Sequence, residues 1–401
     1  MNRAVLLGLA LALAACPSPK FELPPESVVE GATPEAWQHE LPRDLAQVRL
    51  HAHADALFLT AHRGASPEPE RVHLAFHPRS GEILWEQTLA APGARPADDD
   101  WRVTPSCLLY VHRQRLTCLD RKTGQPRWAF SDPDLRPLYA TFTEGDAVLV
   151  NLGNETLVVL EERDGAQRAA FALRDEPLKQ VVGTEAGLVA VLVSPPTQAQ
   201  PQATLWGALL PKEAQPKADP PPALAKRWSR PIASWSYDLH RVGPVLLGAL
   251  DEGRLTALDA LTGQDLWTLP EAELPSKPLY AHQTLWLSTP DPDGQTQRLL
   301  GFDPKRPPQG APLWSLNLPT AQALLGLETA PPPSSHTLGA TLDTFFVLDE
   351  ATGALRWSYH FDHAHEPGSW TNASSDGAGV FLYLEQPGKP SLLKRVPILE
   401  E

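Results

Sequence analysis

An all-β ring built from repeated four-stranded units is the fold this sequence predicts. Three observations predict it: a recurring strand-turn-strand phrase, a near-regular spacing of tryptophans, and an abundance of proline. The 401 residues include 43 prolines, about twice the usual ~5% usage, which suits exposed turns between short strands and disfavours long helices. The chain is 42% hydrophobic and 20% charged, with a net charge of −14. That is an ordinary globular balance leaning acidic, and it offers no basic footprint for nucleic acid.

The phrase "RLTALDALTGQDLWTL" (Arg254 to Leu269) recurs as "RLTCLDRKTGQPRWAF" (Arg115 to Phe130) and "FFVLDEATGALRWSYH" (Phe345 to His360). Its skeleton is Ala257, Asp259, Thr262, Gly263 and Trp267. Asp259 and Thr262 cap a tight turn, Gly263 takes positive φ without a Cβ clash, and Trp267 brings a large flat ring to the next sheet. Glycine precedes tryptophan by four residues at Gly81/Trp85, Gly124/Trp128, Gly263/Trp267, Gly310/Trp314 and Gly353/Trp357. Weaker copies keep one partner: Gly165 faces Ala169 at the tryptophan position, and Trp228 in "LAKRWSRPI" lacks the glycine. At the start, Trp37 in "EAWQHELP" opens the same pattern as Trp85 in "LWEQTLA".

Positions 37, 85, 128, 169, 228, 267, 314 and 357 are separated by 48, 43, 41, 59, 39, 47 and 43 residues, the longest gap holding the proline-rich insertion at 211–225. A period of about 40 to 50 residues carrying four short strands is that of a propeller blade. In one unit, "SWSYDLHRVG", "PVLLGALD", "RLTALD" and "DLWTLP" supply strands A, B, C and D from inside to outside. After Trp357 only three strands remain, at "SWTNAS", "GVFLYLEQ" and "SLLKRVPI" (Ser391 to Ile398). The expectation is therefore an eight-bladed β-propeller of four-stranded antiparallel blades over residues 35–401, closed by the N-terminal strand at Trp37 joining the last blade.

Ahead of it, Arg3 precedes the apolar run Ala4 to Ala15 and then Cys16. The run is too short to span a bilayer and reads as a signal peptide over residues 1–15. "LAAC" (Leu13 to Cys16) resembles the lipobox of bacterial lipoproteins, which implies lipidation of Cys16. Pro17 stands where the inner-membrane retention signal has Asp, so the resemblance implies sorting to the outer membrane. Residues 16–34 are rich in proline and read as a flexible tether.

The tryptophan-docking turns resemble those of the quinoprotein-type propellers with PQQ-like repeats, and the resemblance covers residues 35 to 400. With the lipobox, the layout is similar to the propeller lipoproteins of outer-membrane β-barrel assembly. It implies a lipid-anchored, periplasm-facing scaffold for a protein partner, the barrel-assembly complex among the candidates. The alternative is a quinone-dependent oxidoreductase-like enzyme, or a ligand sensor, using the propeller funnel. Quinone dehydrogenases of this resemblance use a vicinal disulfide, a stacking tryptophan and calcium. This chain has no Cys-Cys pair and no room for the long pocket loops. It also lacks a Gly-x-Ser-x-Gly elbow and a glycine-rich phosphate loop. The expectation is no catalytic residue, no cofactor and no enzymatic activity.

Two further sets of residues carry chemistry. Cys107 and Cys118 flank the turn near His112 and Arg113 in neighbouring strands, which allows either a cross-strand disulfide or two buried thiols. The clusters His51, His53, Asp55 and His360, Asp362, His363, His365, Glu366 contain zinc- and copper-ligand types. The first falls at an A–B turn and the second at a D–A connection, on opposite propeller faces. Solvated loops are the expected reading, with no metal.

Overall fold

Short aliphatic and β-branched runs divided by Asp, Gly and Pro turns form strands of two to eight residues in the computed structural model of the chain. The structure describes residues 36–63, 70–90, 101–104, 106–112, 114–132, 138–142, 146–153, 156–173, 178–183, 188–193, 203–210, 221–223, 225–232, 239–250, 254–270, 278–280, 283–290, 297–318, 326–329, 336–340, 344–360, 369–385 and 389–398. Residues Glu35–Glu401 form one compact unit. The predicted signal peptide, Cys16 and the tether lie outside the described residues.

Among the described residues, the strands pair into eight four-stranded antiparallel sheets. The chain enters on β1 (Trp37–Leu41) and then builds sheets strand by strand. Blade 1 is β2 (Leu45–Ala52), β3 (Leu57–Arg63), β4 (Glu70–Phe76) and β5 (Ile83–Ala90). Blade 2 is β6 (Trp101–Val103), β7 (Cys107–His112), β8 (Arg115–Asp120) and β9 (Pro126–Ser131). Blade 3 is β10 (Leu138–Phe142), β11 (Ala147–Leu152), β12 (Thr156–Glu161) and β13 (Gln167–Ala172). Blade 4 is β14 (Leu178–Gly183), β15 (Leu188–Val193), β16 (Ala203–Leu209) and β17 (Lys226–Ile232). Blade 5 is β18 (His240–Val242), β19 (Val245–Leu250), β20 (Arg254–Asp259) and β21 (Asp265–Pro270). Blade 6 is β22 (Leu279–Tyr280), β23 (Leu285–Pro290), β24 (Gln297–Phe302) and β25 (Trp314–Leu318). Blade 7 is β26 (Gly326–Thr329), β27 (His336–Ala340), β28 (Thr344–Asp349) and β29 (Leu355–His360). The last sheet is β30 (Ser369–Ser375), β31 (Gly379–Glu385) and β32 (Ser391–Pro397), completed by β1.

That completion is the closure the sequence predicts. β1 lies antiparallel to β32 with Trp37 opposite Arg395 and Leu41 opposite Ser391. It removes the free edge that a three-stranded tail would leave.

Layering follows from which faces each strand must bury. Strand B of blade 3, "AVLVNL", is buried along its whole length because sheets cover both of its faces. Strand D of blade 5, "DLWTLP", alternates buried and exposed because its outer part meets solvent. Apolar clusters sit between successive sheets. Phe58 and Trp85 of blade 1 pack with Leu108 and Leu119 of blade 2, and Phe381 and Leu393 of the last sheet pack with Leu57 and Phe76 of blade 1.

Alternating strand direction puts the A–B and C–D turns of every sheet at one end, here called the C–D face. The B–C turns and the D–A connections lie at the other. On the C–D face each docking tryptophan enters the turn of the next blade. Trp37 Nε1 donates to Pro78 O at 2.9 Å, Trp85 to Arg121 O at 2.8 Å, Trp128 to Glu162 O at 2.8 Å, Trp267 to Pro304 O at 2.8 Å and Trp314 to Glu350 O at 2.9 Å. The turn glycine lies beneath the ring. At Gly263 φ is +68°, and an added Cβ would sit 2.5 Å from the Trp228 ring. Gly81, Gly124 and Gly353 repeat that geometry under Trp37, Trp85 and Trp314. So does Gly165 under Trp128, although its own strand carries Ala169 in place of tryptophan.

Two members of the expected docking set depart from it. Gly310 lies seven residues after Asp303 rather than four, in the longer turn "DPKRPPQG", so it is not beneath a ring; its Cβ would meet nothing nearer than Pro307 O at 3.8 Å. Trp357 has no turn to enter, because strands C and D of the following sheet come from opposite ends of the chain. It stacks instead on Tyr359, with ring centroids 6.1 Å apart.

The proline-rich insertion also has a structural use. Ala172 N donates to Pro222 O at 2.9 Å, and Ala172 forms a parallel bridge to Ala223. The end of the insertion thus covers part of the outer strand β13; its residues 211–220 and 224 lie outside the described residues.

Gly263→Ala combines left-handed backbone strain with a ring clash. It is expected to lower unfolding free energy by about 2–5 kcal/mol in urea titrations. Gly310→Ala, in open space, is expected to stay within about 0.5 kcal/mol of the parent.

Candidate functional site

Among the described residues, the C–D turns carry a repeated arrangement of polar side chains. In the turn after β20, Asp259 Oδ1 accepts from Leu261 N at 3.0 Å, Thr262 N at 2.8 Å and Thr262 Oγ1 at 2.9 Å. Asp120 with Thr123 and Asp349 with Thr352 repeat the cap. Burial acts to raise the carboxyls of Asp120 and Asp349, but the hydrogen bonds from these threonines outweigh it and hold both below the usual range.

The residue after each capping acid performs a second task that the repeat does not announce. Arg121, buried, pairs with Asp55 in the A–B turn of blade 1 and donates to Thr104 O at 2.9 Å. Its guanidinium carbon lies 5.5 Å from the Phe58 ring centre. Glu162 reaches back to blade 2, accepting from Ser106 N at 3.0 Å, from Ser106 Oγ at 2.8 Å and from Thr104 Oγ1. Glu350 reaches back to blade 6, accepting from Gln283 N at 3.1 Å, and also holds Thr337 Oγ1 of its own blade. Each is a polar latch from one C–D turn to the preceding A–B turn, on the same face as the tryptophan docks. Pro78, Ala260 and Pro304 occupy this position elsewhere. The available sequence signal was a charged residue following the capping acid.

His51 and His53 sit beside the first latch, their rings 5.6 Å apart. Burial lowers the His51 pKa to about 4, helped by His53, Arg102 and Arg121. Burial and Arg121 lower His53 to about 4 against the opposing pull of Asp55. Asp55 is engaged by Arg121, so this trio is tied into the latch. Among the described residues no group of three or more His, Cys, Asp or Glu side chains is arranged to hold a metal. Of the second cluster, His360 ends β29, and Asp362, His363, His365 and Glu366 lie outside the described residues.

Cys107 and Cys118 are joined by a disulfide, with Cα atoms 5.4 Å apart. They are diagonal rather than directly opposite: Cys107 pairs with Asp120, and Cys118 with Leu109. Both are fully buried in the cluster between blades 2 and 3.

His73 was not marked by any motif. It lies in β4, is completely buried, and has a hydrogen-bond partner on neither ring nitrogen. Its ring is 5.2 Å from that of Tyr110 on blade 2. Burial, with Arg71 and His62 adding to it, drives its pKa down to about 3.

A closed set of antiparallel blades locked by tryptophan and capped turn defines a β-propeller of the PQQ-like repeat class. The chain belongs to the family described as outer membrane protein assembly factor BamB, whose model matches residues 68–270. BamB from Moraxella catarrhalis is similar at 15% identity, covering 90% of this chain and 99% of that one, with a TM-score of 0.48. The computationally designed protein Ika8 is similar at 13% identity over 90% of this chain and 98% of that one, with a TM-score of 0.52. The quinohemoprotein alcohol dehydrogenase ADHIIG from Pseudomonas putida HK5 is similar at 12% identity over 91% and 76%, also with a TM-score of 0.52. Likeness at these identities shows the fold alone. No curated protein sequence matches the chain.

Two measurements follow from the site. Replacing both Cys107 and Cys118 by alanine is expected to lower stability by about 2–3 kcal/mol, since the bridge closes a short loop. Thiol labelling of the denatured, unreduced protein should leave both cysteines unmodified. For His73 the sign is fixed by its depressed pKa. The unfolded chain takes up a proton below about pH 6.5 while the folded chain does not, so stability is full above that value and falls as pH drops towards 3. The loss attributable to His73 is about 1.4 kcal/mol per pH unit. His73→Phe should flatten the decline in denaturation free energy between pH 6.5 and pH 4.5.

Proposed function

We propose that this chain is an eight-bladed, lipid-anchored scaffold facing the periplasm that binds a protein partner in outer-membrane protein assembly, without chemistry of its own. The observation that carries this reading is membership of the BamB family across residues 68–270. The fold supports it mechanically. Tryptophan docks, capped turns and the Arg121, Glu162 and Glu350 latches fix neighbouring turns against one another, and preorganised loops bind without the cost of ordering. The net charge of −14 favours a partner with a basic patch. The lipobox-like "LAAC" supplies Cys16 as the point of anchorage.

Absence of chemistry is supported by the cysteines: the only two beyond Cys16 are eleven positions apart in sequence and bonded to each other inside the core. They cannot form the adjacent pair that the quinone enzymes place under their cofactor. Affinity purification from crosslinked membranes is expected to recover the pore protein of the barrel-assembly complex, and its consistent absence would reject the assembly role. Purified protein supplied with quinone and calcium is expected to show no dye-linked alcohol oxidation. Turnover would reject the scaffold reading in favour of the enzyme.

A further inference from the structure

One face of blade 1 carries a row of histidines. In the antiparallel register His51 lies opposite Phe58 and Arg49 opposite Thr60, while Thr60 lies opposite His73 and His62 opposite Arg71. Directly opposed residues share a face and alternate residues return to it. His51, His62 and His73 therefore stand on the side of the sheet that bears Phe58 and Ala75. That side meets blade 2, because Phe58, Ala75 and Trp85 pack with Leu108, Tyr110 and Leu119. His53, just beyond β2, joins the row with its ring 5.6 Å from that of His51. The seam between blades 5 and 6 is filled differently, by Leu247, Leu255, Trp267, Leu287 and Phe302.

Burial disfavours the charged form of all four rings, lowering His51 and His53 to about 4, His73 to about 3, and His62 as well. Blade 1 adds Arg49 and Arg71 beside them. Blade 2 adds Arg102 on β6 and Arg121 in its C–D turn, with Tyr110 on β7 and Arg115 on the same face of β8. β5 places the uncharged Gln87 opposite His73. Among the described residues the carboxylate that acts on the rings is Asp55, which Arg121 engages, while Glu162 of blade 3 acts on Arg121. His73 is completely buried and neither ring nitrogen has a partner, so a proton there makes an imidazolium without an acceptor, next to Arg71. A second proton on the His51–His53 pair meets both the first and Arg121.

We propose that the seam between blades 1 and 2 is an acid-responsive joint of the ring, which parts on acidification while the seam between blades 5 and 6 stays packed. Once it parts, the imidazoles meet water, take up protons in their ordinary range and hold the two sheets apart by charge. Loss of those protons lets the seam close. The sign follows from the lowered values: the seam is fully stabilised above about pH 6.5 and weakens as pH falls below it. Parting is felt on the C–D face, because the Arg121–Asp55 pair and the Trp85 bond to Arg121 O both cross this seam. The A–B turn of blade 1 and the C–D turn of blade 2 then lose their fixed spacing, and Phe58, Trp85 and Leu108 come within reach of water. The joint belongs to the ring itself and does not depend on which partner the ring binds.

Thiol accessibility reads the joint. Ala75→Cys places a reporter in this seam and Ala257→Cys one in the seam between blades 5 and 6, both at fully buried positions. Each full-length variant is treated with 4,4′-dithiodipyridine, which reacts with thiols in acid, and its rate is divided by that of the same variant in denaturant at the same pH. The parent protein supplies the background from Cys16, and the bonded Cys107 and Cys118 do not react. Between about pH 6.5 and about pH 5.5 each histidine that hydrates multiplies the open population about fivefold. The normalised rate at position 75 is therefore expected to rise at least about tenfold, and that at position 257 less than about twofold. His73→Phe should cut the rise at position 75 about fivefold. Should that variant not fold, His51→Gln combined with His53→Gln, nearer the rim of the seam, serves in its place; Ala56→Cys, also buried in this seam, replaces a poorly folding Ala75→Cys. An equal rise at both reporters would show the ring unfolding as a whole and overturn the joint, as would a flat response at position 75. A rise that survives removal of the histidines would overturn their assignment as its cause.

Discussion

The contact on which the rest of the structure depends is the insertion of one blade's tryptophan over the turn of the next. It joins apolar burial to one specified hydrogen bond, from the indole N–H to the carbonyl that follows the capping acid. Burial alone would let neighbouring sheets slide; the fixed donor and acceptor set their relative height. The glycine under the ring is required twice, by its left-handed backbone and by the space the indole fills. Because each dock links two sheets, an error at one turn is felt in both. A closed ring carries that constraint back to its origin.

On this frame the C–D turns became the place where polar residues are placed deliberately. Except at Ala260, where the Trp228 indole N–H has no partner, the position after the capping residue gives its carbonyl to an indole, so its side chain is held at the seam between blades. Arginine or glutamate there reaches the neighbouring A–B turn, whereas proline or alanine leaves the seam to packing. The latched seams bind buried or half-buried charge with several hydrogen bonds each, an arrangement that specifies geometry more than it adds stability. Rigidity of that kind suits the proposed scaffold role.

The fold was legible in the sequence because every dock imposes the same residues in each copy. The bare Trp37 announced the closure, since a terminal strand bearing a docking residue needs a sheet to join. Gly310 keeps the repeat's spacing to Trp314, but the physical partner of a turn glycine is the ring from the preceding blade. Longer loops break the first relation without disturbing the second. The latches were invisible because Arg121 and Asp55, or Glu162 and Ser106, are dozens of residues apart and pair differently at each seam. His73 was hidden by its ordinary place in a buried strand, where only the surrounding sheets determine that its nitrogens find no partner.

Closing the last sheet with strands from both ends has a consequence in time. Synthesis proceeds from the N-terminus, so β1 exists long before β32, the strand it pairs with along Trp37 to Leu41. Until the final segment emerges, one sheet lacks its outer member and the first blade lacks its neighbour. The nascent chain therefore carries an unpaired strand until β32 is made, a stretch open to pairing elsewhere. The ring is thus a clasp whose two halves are made first and last.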